Sequence, residues 1–180
     1  MIASETRFRV SEVTGARMLQ SYLRHHGFDK EAADIQDDWC WADIGRYAKS
    51  LGSDNAAVRF VTQQLIQEKD VPGFTLMRYC WYIEDREDVW RAMLDRRHVT
   101  AWLWYCLQVK DRNEVRQALL EFAGPFTLYQ YCRDVSDRDE FRQAIAASGD
   151  VYACSDYLRY VGERPEIRAV VDAYEQAHSA

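Results

Sequence analysis

The chain has 180 residues, of which 48% are hydrophobic and 29% charged, and its formal net charge is −6. This length can bury a continuous core without a disulfide or metal, and the composition excludes wholesale disorder. No stretch approaches the roughly 18 uninterrupted apolar residues of a membrane-spanning helix, and the first ten residues lack the apolar segment of a secretion signal, so we expect a protein without membrane contact.

The first half of the chain predicts two helical hairpins. Tyr22 and Tyr47 each stand in an apolar stripe with helical spacing, and a 25-residue interval separates them. The next interval, from Tyr47 to Tyr79, is a longer 32-residue one. The longer interval predicts one or two extra turns in the second helix of this hairpin, around Val58 to Lys69.

Four tyrosines then recur at equal spacing and mark the first helix of each further hairpin. Apolar residues accompany each tyrosine three positions before it and four positions after it, which places them on one helical face. The same 26-residue interval separates each tyrosine from the next, and the four are Tyr79, Tyr105, Tyr131 and Tyr157.

A second helix follows each tyrosine. Six residues after each tyrosine comes an acid, directly followed by Arg, and a second acid stands three residues after the first. An acid at the N-cap with another at the third helical position is typical of a helix start. The acids predicted as N-caps are Asp85, Asp111, Asp137 and Glu163.

The segment Asp111–Ala118 resembles the second helix of HEAT-like repeats, in which an acid, Val-Arg and Ala recur, and the likeness covers roughly residues 74–175. The 26-residue unit is shorter than a HEAT unit, and the tetratricopeptide pattern is absent. We predict an all-α, right-handed solenoid of about six two-helix repeats in a single domain. Its predicted parts are an arm (1–10), a capping hairpin (11–40), a longer hairpin (41–72), regular repeats (73–98, 99–124 and 125–150) and a C-terminal capping repeat (151–180).

Outward positions of the first helices are unusually apolar in the middle repeats. Where other repeats carry charged residues, these carry Trp, Tyr, Met and Leu, which are typical of interface cores. We predict that a protein or peptide binds there, with a homodimer seam or intramolecular packing as the alternatives. The predicted binding residues are Met77, Trp81, Tyr82, Leu103, Trp104, Leu107 and Tyr129.

A row of arginines on the second helices offers a different hypothesis. One position after the first apolar residue of the second helix holds Arg59, Arg116, Arg142 or Arg168. Such a row could form an anion track, as in a HEAT-like nucleic-acid-binding protein. Acids stand beside the row and there is no basic block, so a solvated face is the simpler interpretation and we do not expect nucleic acid as the partner.

The sequence contains no catalytic or metal-binding motif. P-loop, GxGxxG, HExxH and GxSxG patterns are absent, and His25 and His26 are adjacent, so they diverge on a helix. Five cysteines without a Cys-x-x-Cys pair argue against disulfides and zinc and favour the cytoplasm. We therefore expect a non-catalytic interaction module without cofactor or metal, such as an adaptor, chaperone, regulator or toxin-neutralising immunity-type protein.

Overall fold

The computed structural model describes Val10, Val13 and residues 15–179, and this part of the chain is all-α without strands. Apart from Val10, the predicted arm lies outside the described residues. None of the helices in the described part is both long and apolar enough to cross a membrane. The helices are α1 (Ala16–His25), α2 (Asp29–Asp34), α3 (Trp41–Leu51), α4 (Ala56–Gln67), α5 (Gly73–Tyr82), α6 (Glu87–Asp95), α7 (Val99–Gln108), α8 (Asn113–Phe122), α9 (Pro125–Asp134), α10 (Asp139–Ser148), α11 (Val151–Tyr160) and α12 (Pro165–His178).

These helices group into two compact units that divide after His98. In the N-terminal unit, α1 packs on α2, α3 on α5, and α4 and α5 on α6. The helix α4 has 12 residues, two more than α8 and α10, so it is longer by about half a turn and not by the one or two turns predicted from the longer tyrosine interval. It begins at the side chain of Asn55, which accepts hydrogen bonds from the backbone N–H groups of Ala57 and Val58.

In the C-terminal unit, the helices form two adjoining rows. The first helices α7, α9 and α11 pack side by side, and so do the second helices α8, α10 and α12. Corresponding helices keep the 26-residue spacing, because they begin at positions 99, 125 and 151 in the first row and at 113, 139 and 165 in the second. This packing is consistent with helical repeats, because a lone hairpin cannot bury its own apolar stripe. The buried stripe of the second row consists of Val115, Leu119, Phe141, Ile145, Ile167 and Val171.

The predicted acidic N-caps are wrong by one residue. The N-cap of each of these second helices is the arginine that follows the acid, and its side chain makes no capping hydrogen bond. The acids Asp111 and Asp137 instead accept hydrogen bonds from the following helix pair. A carboxylate that is satisfied by hydroxyl and guanidinium donors has no need of the helix N–H groups. The four N-caps are Arg86, Arg112, Arg138 and Arg164.

Candidate interaction surface

Three of the residues predicted to face outward are buried, namely Met77, Leu103 and Tyr129. All three stand two positions before a repeated tyrosine. Gly45 occupies the equivalent position in α3, and a Cβ atom built on it would lie 2.5 Å from the Cβ atom of Tyr82 in α5. At Gly45 this position therefore faces a neighbouring first helix. Because Met77, Leu103 and Tyr129 are buried, the expectation of outward-facing side chains is wrong for these three residues.

In the N-terminal unit, the predicted binding residues reduce to an aromatic pair. Trp81 is exposed, Tyr82 is half-buried, and their rings stack with centroids 4.6 Å apart. Stacking holds the indole in one orientation on the surface, which lowers the entropy lost if a partner covers it.

In the C-terminal unit, the first helices carry a larger apolar surface. Trp104 and Leu107 are exposed on α7, three residues apart and hence on the same helical face. Phe126 on α9 and Tyr152 on α11 are 46% and 72% exposed. We call these four side chains the C-terminal aromatic face. Because α7, α9 and α11 pack side by side, about 10 Å apart, the equivalent positions Phe126 and Tyr152 adjoin, whereas Trp104 lies about one helical turn further along its own helix.

Phe126 and Tyr152 were not among the residues predicted from the sequence. Both stand five residues before a repeated tyrosine, whereas Trp104 stands one residue before its own. Four residues are about one helical turn, so the positions five before and one before share a face. The helical period of the sequence therefore already indicated that Phe126 and Tyr152 lie on the helical face that Trp104 occupies in α7.

Arginine side chains lie against aromatic rings in the same row of helices. The Arg133 guanidinium lies 5.4 Å from the centroid of the Tyr129 ring and donates to the Tyr129 hydroxyl at 3.3 Å. It also donates twice to the carboxylate of Asp134, at 2.7 Å each, and this hydrogen bonding lowers the pKa of Asp134. Arg159 lies 5.1 Å from the ring centroid of Tyr160. Arginines stacked on aromatic rings are common at protein interfaces, and Arg133 is in addition ion-paired.

The proposed anion track is largely occupied by the chain's own carboxylates. The Arg116 side chain is 14% exposed and lies 3.0 Å from Asp111. The Arg142 side chain is 13% exposed and contacts Asp137 at 3.1 Å and Glu166 at 3.2 Å. These guanidinium groups are therefore poorly placed to bind an external phosphate.

The two ends of the arginine row differ from its centre. Arg168 pairs with Glu163 in the C-terminal unit. Arg59, in the N-terminal unit, is exposed and borders a shallow groove that is also lined by Glu84 and Asp88. An anion would meet nearby carboxylates at both positions, which works against its binding.

A tyrosine–aspartate network explains two of the four periodic acids, Asp111 and Asp137. The Tyr131 hydroxyl donates to Asp111 at 2.7 Å, and Arg138 donates to the same carboxylate at 2.9 Å. The contact recurs in the next helix pair, where the Tyr157 hydroxyl donates to Asp137 at 2.6 Å. Burial alone raises the pKa of Asp111 and Asp137, but the donated hydrogen bonds outweigh it and hold both pKa values below the usual range. The network joins successive helix pairs.

Comparison with known proteins yields no relative for this chain. It matches no protein-family model, no curated protein and no solved structure. Any functional assignment therefore has to be argued from the chain's own side chains.

The histidines, cysteines and carboxylates in the described part of the chain form no metal-ion cluster. No set of three or more His, Cys, Asp and Glu side chains there is close enough together to hold a metal ion. His25 and His26 pack edge to face, with ring centroids 4.9 Å apart. Cys40 is exposed, whereas burial raises the pKa of the Cys106 and Cys132 thiols to about 12 each. The buried thiols are thus kept protonated at neutral pH.

Proposed function

We propose that this chain is a non-catalytic interaction module whose C-terminal aromatic face binds a protein or peptide. The observation that carries the proposal is that Trp104, Leu107, Phe126 and Tyr152 are exposed on three adjoining helices. Single exposed apolar side chains are common, but a contiguous group of them marks an interaction site. Trp and Tyr are also the residues that contribute most to binding at interfaces.

The size of the face suits a protein partner. With about 150–250 Å² for a whole aromatic side chain, the exposed parts of the four residues amount to roughly 400 Å². A standard interface buries about 800 Å² on each partner, of which a little over half is apolar. The C-terminal aromatic face can thus supply the apolar centre of one ordinary interface, with Arg133 and Arg159 among its polar surroundings.

The proposal includes the scaffold and the class of protein. We propose that the helix pairs are repeats of a short, right-handed, HEAT-like solenoid, a scaffold that presents extended binding surfaces. An acidic chain favours a basic partner, and five free cysteines favour the cytoplasm. An adaptor, a chaperone, a regulator and an immunity-type protein all fit this description.

The test is substitution of the face in a capture experiment. Wild type and the double variant Trp104→Ala/Tyr152→Ala are immobilised, exposed to lysate of the source cells after nuclease treatment, and washed at high salt. We expect a protein partner that survives the wash on the wild type and is lost from the double variant, because an apolar contact is insensitive to salt. The control is Tyr174→Ala, which removes from α12 an aromatic ring about as exposed as that of Trp104.

Oligomeric state is measured on the same variants by light scattering. A wild-type dimer that becomes a monomer in the double variant alone would assign the face to a second copy of the chain. Loss of binding in Tyr174→Ala but not in the double variant would contradict the assignment of the face. Retention of nucleic acid alone, released by salt, would favour the arginine row instead.

A further inference from the structure

An apolar pocket lies within the N-terminal unit, among α1, α2, α3, α4 and α5. Its volume is about 60 Å³ and its walls are almost entirely apolar atoms. Leu19 and Leu23 of α1 form one wall, Ile44 and Ala48 of α3 another, and Val58 of α4 a third. Water is not stabilised in an apolar pocket of this kind, because it finds no hydrogen-bond partners there.

The pocket has room for a short hydrocarbon chain. A water molecule needs about 10–15 Å³ by the same measure, so the pocket accepts roughly four to six groups of the size of water or a methylene. A second apolar pocket of about 50 Å³ shares Leu19, Ile44 and Val61 with the first. The two pockets are therefore bounded in part by the same apolar side chains.

One carboxylate residue borders the pocket, and a second carboxylate is hydrogen-bonded to a lining tyrosine. Glu31 is the one charged residue among its described lining residues. The Glu31 carboxylate accepts from the Asn55 amide at 3.1 Å, and the hydroxyl of Tyr47, which also lines the pocket, donates to Asp34 at 2.7 Å. Burial, this hydrogen bond and the charges of Asp34 and Glu31 together raise the pKa of Tyr47. Glu31 thus borders the apolar pocket, and Asp34 lies outside its lining, one hydrogen bond away from Tyr47.

From this geometry we propose that the N-terminal unit binds a small amphipathic cation, with an alkyl chain of about four to six carbons in the apolar pocket and an ammonium group at Glu31 and Asp34. An apolar cavity with a few convergent polar groups is the usual form of a small-molecule site. Each carboxylate uses one oxygen in its described hydrogen bond, and the other is available to the ammonium group. The site is independent of the C-terminal aromatic face.

The experiment is a titration followed by NMR of the Leu, Ile and Val methyl groups of the full chain. The probes are n-butyl-, n-pentyl- and n-hexylammonium at neutral pH, with hexanoate as the probe of opposite charge. We expect shifts of the Leu19, Leu23 and Ile44 methyl signals, and about fourfold tighter binding for each added methylene. Hexanoate should bind at least about tenfold more weakly than hexylammonium, because its charge is repelled at the rim.

Two variants test the two halves of the site. Ala48→Leu fills the pocket and should abolish binding while the other methyl signals stay in place; Ala169→Leu, an exposed change on α12, should bind like wild type. Glu31→Gln keeps an oxygen for Asn55 and should reduce the preference for hexylammonium over hexanoate, because only the Asp34 charge is left. Absence of methyl shifts with every probe, or unchanged binding to folded Ala48→Leu, would overturn the site. Equal binding of hexanoate to the wild type would overturn the assignment of a cation.

Discussion

The buried and half-buried tyrosines of the two units differ in the hydrogen-bond partners of their hydroxyls. In the C-terminal unit, the hydroxyls of Tyr131 and Tyr157 each donate to an aspartate that stands 20 residues earlier. In the N-terminal unit, Tyr47 donates to Asp34, 13 residues earlier, and the Tyr79 hydroxyl is hydrogen-bonded to that of Thr62 at 2.8 Å. All of these are buried or half-buried tyrosines with a satisfied hydroxyl, but only the C-terminal unit satisfies it with one repeated arrangement.

This difference in hydrogen-bond partners follows from the spacing of the helix pairs along the chain. When helix pairs recur at a constant 26-residue spacing, each aspartate lies opposite the next tyrosine, and one arrangement serves twice. Where a 25-residue tyrosine interval is followed by a 32-residue one, the helices meet at other positions and a different partner is needed. The same irregular packing leaves the two apolar pockets in the N-terminal unit. Four pairs of substitutions test this contrast.

The largest expected effect is from truncating a core isoleucine in each unit. Ile145→Ala in α10 should lower the free energy of unfolding by about 4 kcal/mol, because the side chain is fully buried in the regular row. Ile44→Ala should cost about 2 kcal/mol, because Ile44 already borders both pockets and has fewer contacts to lose. Denaturant unfolding measures both. Equal losses of unfolding free energy would mean that the side chains around the pockets are packed as tightly as those of the regular row.

Gly45→Ala should also be strongly destabilising, by about 2 kcal/mol, because the new methyl group meets the Cβ atom and the backbone oxygen of Tyr82. The sign is informative, since Gly→Ala inside a helix ordinarily stabilises it by about 1 kcal/mol. Thermal unfolding provides the measurement. The control is Gly124→Ala, because a Cβ atom built on Gly124 meets no neighbour among the described residues within 4 Å. This variant should change the free energy of unfolding by only about 0.5 kcal/mol. A stabilised Gly45→Ala protein would contradict the close packing of α3 on α5.

Asp137→Asn should cost about 1.5 kcal/mol at neutral pH, because it weakens the hydrogen bonds from Tyr157, Arg142 and Arg164. The control Asp134→Asn removes an exposed ion pair and should cost less than about 0.5 kcal/mol.

The same residue gives stability a predictable pH dependence. The pKa of Asp137 is lower in the folded chain, so the unfolded chain binds more protons in acid. Its contribution is complete above the unfolded pKa of about 3.9 and is lost as the pH falls through the folded value. Urea titrations between pH 7 and pH 2 should therefore show a flatter profile for Asp137→Asn. A profile parallel to that of wild type would show that the aspartate is not held as described.

The smallest expected effect is from removing single tyrosine hydroxyls. Tyr157→Phe should cost about 1 kcal/mol, since it leaves the Asp137 carboxylate without one donor. Tyr79→Phe should cost about half as much, because Thr62 keeps its hydrogen bond to the Val58 carbonyl. Tyr174→Phe, at an exposed position of α12, serves as the reference and should leave the free energy of unfolding unchanged. A larger loss of thermal stability in Tyr79→Phe than in Tyr157→Phe would contradict this contrast between the units.

The helices and their buried stripes were predictable from local sequence, as Tyr131 and Ile145 illustrate. Both are fully buried, and both belong to apolar series with helical spacing. The exposed part of the surface was only partly predictable. Trp104 lies on the surface as expected, whereas the equally apolar Leu103 beside it is buried. Periodicity shows which side chains share a face of their own helix, but it does not show how wide a stripe the neighbouring helices cover.

The sequence by itself determined that the chain is helical and where its helices recur, because the helical period is a property of residues three and four positions apart. Only the tertiary structure decided that Asp111 and Asp137 bind the next tyrosine and arginine rather than cap their own helices. The apolar pocket beside Glu31 was likewise decided there. These features depend on how closely helices distant in sequence approach each other, and side-chain packing between helices sets that distance.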